Sequence, residues 1–193
     1  MLVNGADPGA SFPGTDWGWG RVDLDSVMYF TGDTRDLALV EHTEGLVTGD
    51  VMEYQIDVVG TTIPLKITIC WTDFPGALNA AKELVNDVNL TVVSPTATTY
   101  LGNVLSGGQS TTGGTADNTN VEEFVRRNTP EVGTWTIRVS GANIPLGPQR
   151  FALVVTGDLD REASLLALNK PAYGPSETIQ IRLEDASAGL TSP

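Results

Sequence analysis

The sequence is poor in cysteine, and it has no long apolar run. Cys70 is the sole cysteine among 193 residues, which excludes a disulfide framework and a thiolate metal cluster. It lies in an alternating apolar run and is predicted to be a buried, inert thiol. No apolar stretch reaches the roughly 18 residues of a membrane-spanning helix, so the sequence predicts no membrane insertion.

Positive charge is also scarce. The chain has 11 Lys and Arg residues against 24 Asp and Glu residues, a net charge of −13. Such a surface repels nucleic-acid phosphates, so no nucleic-acid partner is expected. The charge is typical of a soluble extracellular protein and favours divalent cations, although it can equally serve solubility alone.

Short runs of alternating apolar and polar residues follow one another through most of the chain, with Gly, Pro, Asn and Asp between them. The runs cover residues 37–41, 46–47, 51–59, 64–71, 88–93, 98–101, 121–125, 135–139 and 151–155. Period-2 runs at this spacing predict an all-β fold, a jelly-roll β-sandwich. The same alternation places Trp71 and Trp135 in its core.

Two further elements flank this region. Residues 21–30 are predicted to form a short helix, because Val22, Leu24 and Val27 lie near one face. Residues 158–193 read as a linker and two strands, at 164–168 and 178–183. About 30 residues cannot close a sandwich, so this part is predicted to be the truncated start of a second β-sandwich.

Four motifs resemble a known protein family. Residues 16–24, Asp-Trp-Gly-Trp-Gly-Arg-Val-Asp-Leu, resemble the last segment of the catalytic domain in subtilisin-like serine proteases, the subtilases. Residues 84–94, 117–122 and 130–139 resemble the N-D-L-D-L-x-V, D-x-x-N-N-V-E and P-x-x-G-x-W-x-I-x-V elements of the domain that follows it. That domain is the jelly-roll module related to the P domains of proprotein convertases and to bacterial prepeptidase C-terminal domains.

The resemblance implies an organisation and a role. Residues 1–32 would be the C-terminal remnant of a subtilase catalytic domain, and residues 33–157 the P-domain-like jelly roll. The chain would be a non-catalytic C-terminal accessory domain of a secreted subtilisin-like serine endopeptidase, stabilising the catalytic domain. Its partners would be that domain, against which Trp17 and Trp19 would dock, and a protein substrate reached through the parent enzyme.

The residues themselves argue against peptide hydrolysis by this segment. A serine protease needs a Ser nucleophile, a His base and an Asp that orients the base. The single histidine, His42, lies at the end of a predicted strand and is expected to be a surface or turn residue. The subtilase serine motif G-T-S-M-A is absent.

Calcium is the favoured ligand, because carboxylate, amide and carbonyl oxygens cluster at predicted strand ends. The candidate ligands are Asp73, Asp87, Asn89, Asp117, Asn120 and Glu122. The alternative is that these Asp and Asn residues only form turns. Asn89 stands where the family has its second Asp, which removes one formal charge from any site inferred from the resemblance.

A second function remains open from the sequence. The chain is also compatible with a carbohydrate- or surface-binding module of a secreted enzyme. An exposed row of aromatic residues on one sheet would favour that function, whereas an apolar patch around Trp17 and Trp19 would favour docking to the catalytic domain.

Overall fold

A computed structural model describes residues 1–7, 14, 18–28, 30 and 32–160, together with two strands at 165–168 and 181–184. One short helix, α1 (Leu2–Gly5), is present in this described part of the chain. No helix among the described residues has the length and apolar character needed to cross a membrane.

The helix predicted over residues 21–30 is wrong, because the chain makes a single turn there. The Met28 N–H donates to the Leu24 carbonyl oxygen at 2.9 Å, and no helix is present among the described residues 21–28 and 30. The Asp23 carboxylate accepts bonds from the Ser26 hydroxyl at 2.6 Å and the Ser26 N–H at 3.4 Å. The bond from the Ser26 N–H is the bond that an N-cap makes at the start of a helix, and here it closes one turn that is not extended.

The strands of the described residues form two large antiparallel sheets and a small ribbon. Their bounds are β1 (Asp36–Leu46), β2 (Val51–Val58), β3 (Leu65–Cys70), β4 (Asp87–Val93), β5 (Thr99–Leu101), β6 (Leu105–Ser106), β7 (Gln109–Ser110), β8 (Glu122–Arg127), β9 (Gly133–Asn143), β10 (Gln149–Gly157), β11 (Leu165–Leu168) and β12 (Ile181–Glu184). The smaller sheet has the order β1-β10-β3-β8, the larger has the order β12-β11-β2-β9-β4-β5, and β6 pairs with β7.

The two large sheets share one hydrophobic core. Alternate residues of β3 (Leu65, Ile67 and Ile69) and of β9 (Ile137 and Val139) are fully buried in it. This alternation is the expected consequence of a strand that buries one face and leaves the other outside the core. The prediction of an all-β fold is therefore confirmed, while the jelly-roll strand order stays a prediction.

Most predicted strands are found within a few residues of their expected bounds. The runs at 37–41 and 46–47 belong to one strand, β1, whose pairing with β10 shifts register between His42 and Leu46. Gly45, at φ +79°, accommodates this irregularity. In the tail, β11 pairs with β12 and also with β2, so both strands extend the larger sheet.

The buried side chains confirm two sequence predictions and contradict two others. Trp71 and Trp135 are buried in the core as predicted. Cys70 was predicted to be buried and is exposed, because it lies on the side of β3 that faces away from Ile69. His42 was predicted at the surface and is 5% exposed, stacked on Phe151 with 4.8 Å between ring centroids.

Candidate functional site

The first described residues lie across the outer face of the smaller sheet. We call residues 1–7, 14, 18–28 and 30 the N-terminal segment. Asn4, which is fully buried, donates from Nδ2 to the Lys66 carbonyl at 3.2 Å and to the Thr68 hydroxyl at 3.1 Å. Its Oδ1 accepts a bond from the Thr156 hydroxyl at 2.8 Å. Because buried polar groups are costly when unpaired, this amide orients the segment on strands β3 and β10.

Trp19 forms the second attachment of the N-terminal segment. Its indole Nε1 donates to Glu122 Oε1 at 3.0 Å, and its ring meets the ring of Phe124 edge-on at a centroid distance of 5.6 Å. Trp19 therefore packs against β8 of the sandwich. Trp17, its predicted companion in docking, lies outside the described residues.

The outward surface of the N-terminal segment is rich in apolar side chains. The large exposed ones are Met1, Leu2, Val22, Leu24, Met28 and Phe30. Exposed apolar residues on one segment are candidates for burial against another folded unit. The segment thus has one side held by the sandwich and a second side that carries apolar groups in solvent.

A buried lysine lies beneath this segment. Lys66 on β3 is 9% exposed, and Arg126 of β8 is its register partner. Burial, followed by repulsion from Arg126 and Arg35, lowers the pKa of Lys66 to about 8. The carboxylates of Asp23 and Asp7 in the N-terminal segment act in the opposite direction and favour its charged form.

The six predicted calcium ligands fall into two neighbouring groups, where β3 ends and β4 and β8 begin. Asp73, Asn120 and Glu122 line a pocket, whereas Asp87, Asn89 and Asp117 lie around Glu123 on the side of β8 that faces the core. Among the described residues, no group of three or more His, Cys, Asp or Glu side chains is placed to hold a metal ion. The calcium site stays a prediction.

Two of the predicted ligands have carboxylates that already accept several hydrogen bonds. Asp73 accepts from the backbone N–H groups of Val85 at 2.6 Å and Asn86 at 2.9 Å, which fixes the loop before β4. Asp117 accepts from the side-chain amides of Asn103 and Asn120, both at 2.6 Å. Burial raises the pKa of Asp117, but these bonds outweigh it and the net pKa is lowered.

Glu123 is the site residue that the sequence reasoning missed. Its side chain is 1% exposed, and its Oε2 accepts the Leu90 N–H at 2.7 Å. Burial, together with the charges of Asp117 and Asp87, raises the pKa of Glu123 to about 8. Glu123 lies two residues before Val125, a core residue of β8, and this period-2 spacing was the signal that places its carboxyl on the inner face.

Asn89 and Glu123 meet through the Asn89 side-chain amide. The end of the Asn89 amide that faces the core lies 3.3 Å from Glu123 Oε1 and 3.2 Å from the Asp117 carbonyl oxygen. That end is Nδ2, because it then donates to both oxygens and leaves Oδ1 facing hydrogen-bond donors.

Asp87 and Gly102 border this group, which we call the Glu123 cluster. Burial raises the pKa of Asp87, whereas Lys82, 3.7 Å away, lowers it and Asp117 adds to the increase. Gly102 leaves room for the carboxyl, since a Cβ at that position would overlap the Glu123 side chain. A larger residue at position 102 would therefore displace the central acid of the cluster.

No histidine takes part in this region, since His42, the single histidine of the sequence, is packed on Phe151 in the core. The region offers oxygen ligands, one buried acid and a pocket. Oxygen ligands of this kind are those that a hard cation prefers. A scan against protein-family models and a search of curated proteins both find no match to this chain.

Proposed function

We propose that the chain is a non-catalytic C-terminal accessory domain of a secreted subtilisin-like serine endopeptidase, and that it stabilises the catalytic domain. The resemblance of residues 16–24 to the end of a subtilase catalytic domain supports this role. The observation that carries it is the N-terminal segment, which is attached to the smaller sheet through Asn4 and Trp19. The apolar side chains on its exposed side are the surface on which the rest of the catalytic domain would pack.

The attachment explains how the accessory domain would act. A segment that is continuous with the catalytic domain and fixed on the sandwich couples the unfolding of the two units. A standard interface buries roughly 1,600 Å² in total, enough to hold two folded units together.

The chain alone is expected to leave casein uncleaved and to remain unlabelled by a fluorophosphonate serine-hydrolase probe. Labelling of the chain would overturn the proposal.

We also propose that calcium binds the Glu123 cluster. The ligands in this chain would be the Glu123 carboxylate and the Asp117 carbonyl oxygen, with Asp87 adding negative charge and Asn89 turning its amide so that Oδ1 faces the ion. The Asn89 amide lies 3.3 Å from Glu123 Oε1 and 3.2 Å from the Asp117 carbonyl oxygen, so the two oxygens are close enough to share one ion, which supports this assignment. A bound calcium ion would neutralise buried oxygens whose mutual repulsion otherwise opposes folding.

A calcium titration of thermal unfolding tests this site. We expect the free energy of unfolding to rise by about 2.7 kcal/mol at a hundredfold excess of calcium over Kd, and to fall again with chelator. For a chain of this length the melting temperature would climb by roughly 5–10 °C. Glu123→Gln keeps an oxygen that can accept the Leu90 N–H but has no charge to bind calcium, so it should lose most of this shift.

Glu44→Gln is the matched control, because Glu44 is exposed on β1, the edge strand opposite β8. This variant should keep the full response to calcium. A chain whose melting temperature ignores both calcium and chelator would show that Asn89 keeps donating to Glu123 through Nδ2, and that the surrounding Asp and Asn residues only shape turns.

A further inference from the structure

An open pocket lies beside the Glu123 cluster, between the loop after β3 and the turn before β8. Its volume is about 320 Å³. Three of its lining side chains are apolar (Phe74, Leu84 and Val121), and three are acidic (Asp73, Glu83 and Glu122). None of the described residues that line it is a lysine, an arginine or a histidine. The pocket therefore combines apolar walls with an unbalanced negative charge.

The three acids differ in what they can offer to a ligand. The Asp73 oxygens already accept backbone N–H groups of the loop. Glu122 gives one oxygen to Trp19, and a carboxylate can accept about four bonds in total. Glu83 is exposed, and its side chain lies against Gly76 at the rim of the pocket. Glu83 and Glu122 are thus the two acids able to receive an additional cationic group.

The apolar walls reach the solvent. Phe74 is 47% exposed and Val121 is 38% exposed, so a ligand that covers them gains hydrophobic contact. Phe74 also presents an aromatic ring, on which a planar cation can stack. A divalent ion would use the acids but would leave these walls uncovered.

We propose that this pocket binds the arginine side chain of a polypeptide partner. The aliphatic stem of arginine would lie against Leu84 and Val121, while the guanidinium stacks on Phe74 and donates to Glu83. Arginine suits the site better than lysine, since its planar fork both stacks and forms paired bonds with a carboxylate. The net charge of −13 would steer a basic partner toward the chain. This inference does not depend on the proposed protease origin.

The test follows the amide signals of the isotope-labelled 193-residue chain by nuclear magnetic resonance. The probe is the capped peptide acetyl-Gly-Arg-Gly-amide, and its control has citrulline, which keeps the shape of arginine without its charge. We expect the arginine peptide to shift the signals of Phe74, Thr119 and Val121 in a saturable manner. The citrulline peptide should bind about tenfold more weakly, and added salt should weaken the binding of the arginine peptide.

Three variants locate the binding. Glu83→Gln and Phe74→Ala each alter an exposed side chain, so the fold should be retained, and each is expected to weaken binding roughly threefold to tenfold. Glu44→Gln, on the opposite edge strand, should leave the affinity unchanged. Three results would each overturn the proposal. The first is equal affinity for the arginine and citrulline peptides, and the second is a Glu83→Gln variant that binds the arginine peptide as tightly as the parent chain does. The third is displacement of the peptide from this pocket by calcium.

Discussion

Replacing Trp19 with alanine is expected to lower the free energy of unfolding by about 2 kcal/mol. The variant loses the 3.0 Å hydrogen bond to Glu122 and the edge-on contact with Phe124. Both contacts hold the N-terminal segment on β8. We therefore expect faster hydrogen exchange at residues 18–28, with the amides of β9, in the centre of the larger sheet, protected as before. Chemical denaturation and exchange measured by mass spectrometry give the two readouts.

Trp19→Phe separates the two contributions of the side chain. It keeps an aromatic ring against Phe124 but loses the indole N–H, so about half of the destabilisation should remain. If Trp19→Ala leaves exchange of the N-terminal segment unchanged, this segment is held by its other contacts, such as those of Asn4, and the attachment to β8 assigned to Trp19 is wrong.

Replacing Lys66 with methionine is expected to raise the free energy of unfolding at pH 7, by about 2 kcal/mol. Lys66 is buried, and its charged amine lies near Arg126 and Arg35, so the folded state keeps a poorly solvated cation. Methionine fills similar space without the charge. The lowering of its pKa from 10.5 to about 8 corresponds to roughly 3 kcal/mol and already includes the attraction to Asp23 and Asp7; part of this gain is lost because methionine does not fill the site perfectly.

The pH dependence gives this prediction a definite sign. The folded pKa of Lys66, about 8, lies below its value of 10.5 in the unfolded chain. Between these two values the unfolded chain binds more protons, so the contribution of Lys66 to stability rises with pH. Below pH 8 the destabilisation caused by the buried charge of Lys66 does not change with pH. Lys66→Met should remove the rise in the free energy of unfolding between pH 8 and pH 10.5, measured by denaturation in the presence of chelator.

Arg150→Met is the matched control, because it removes a positive charge from an exposed side chain of β10. It should change the free energy of unfolding by about 0.5 kcal/mol or less and should leave the rise at high pH in place. A Lys66→Met variant that is less stable than the parent at pH 7 would show that the amine is well paired under the N-terminal segment.

The sequence predicted the strands better than their faces. Period-2 alternation located β2 to β4 and β8 to β10 and identified Trp71 and Trp135 as core residues. It failed at His42 and Cys70, because which side of a strand is buried depends on register and on which outer face another segment covers. The irregularity at Gly45 and the position of the N-terminal segment are tertiary features that no local pattern reveals.

The candidate site was predicted only in part. The motifs brought attention to Asp87, Asn89 and Asp117, which lie around one buried acid. That acid is Glu123 and not its neighbour Glu122, a distinction that alternation with Val125 could have made. The separate grouping of Asp73 with the pocket could not be foreseen, since it depends on how the loop after β3 folds back on the turn before β8.

The size and reactivity of the polypeptide that carries this chain in its source test the central proposal most directly. An antibody against residues 33–157 would capture it from the culture medium, and a fluorophosphonate probe would then be applied. We predict a polypeptide well above 20.4 kDa that the probe labels, with the label on a part outside this chain. Capture of a 20.4 kDa polypeptide that the probe does not label would contradict the assignment to a secreted subtilisin-like protease.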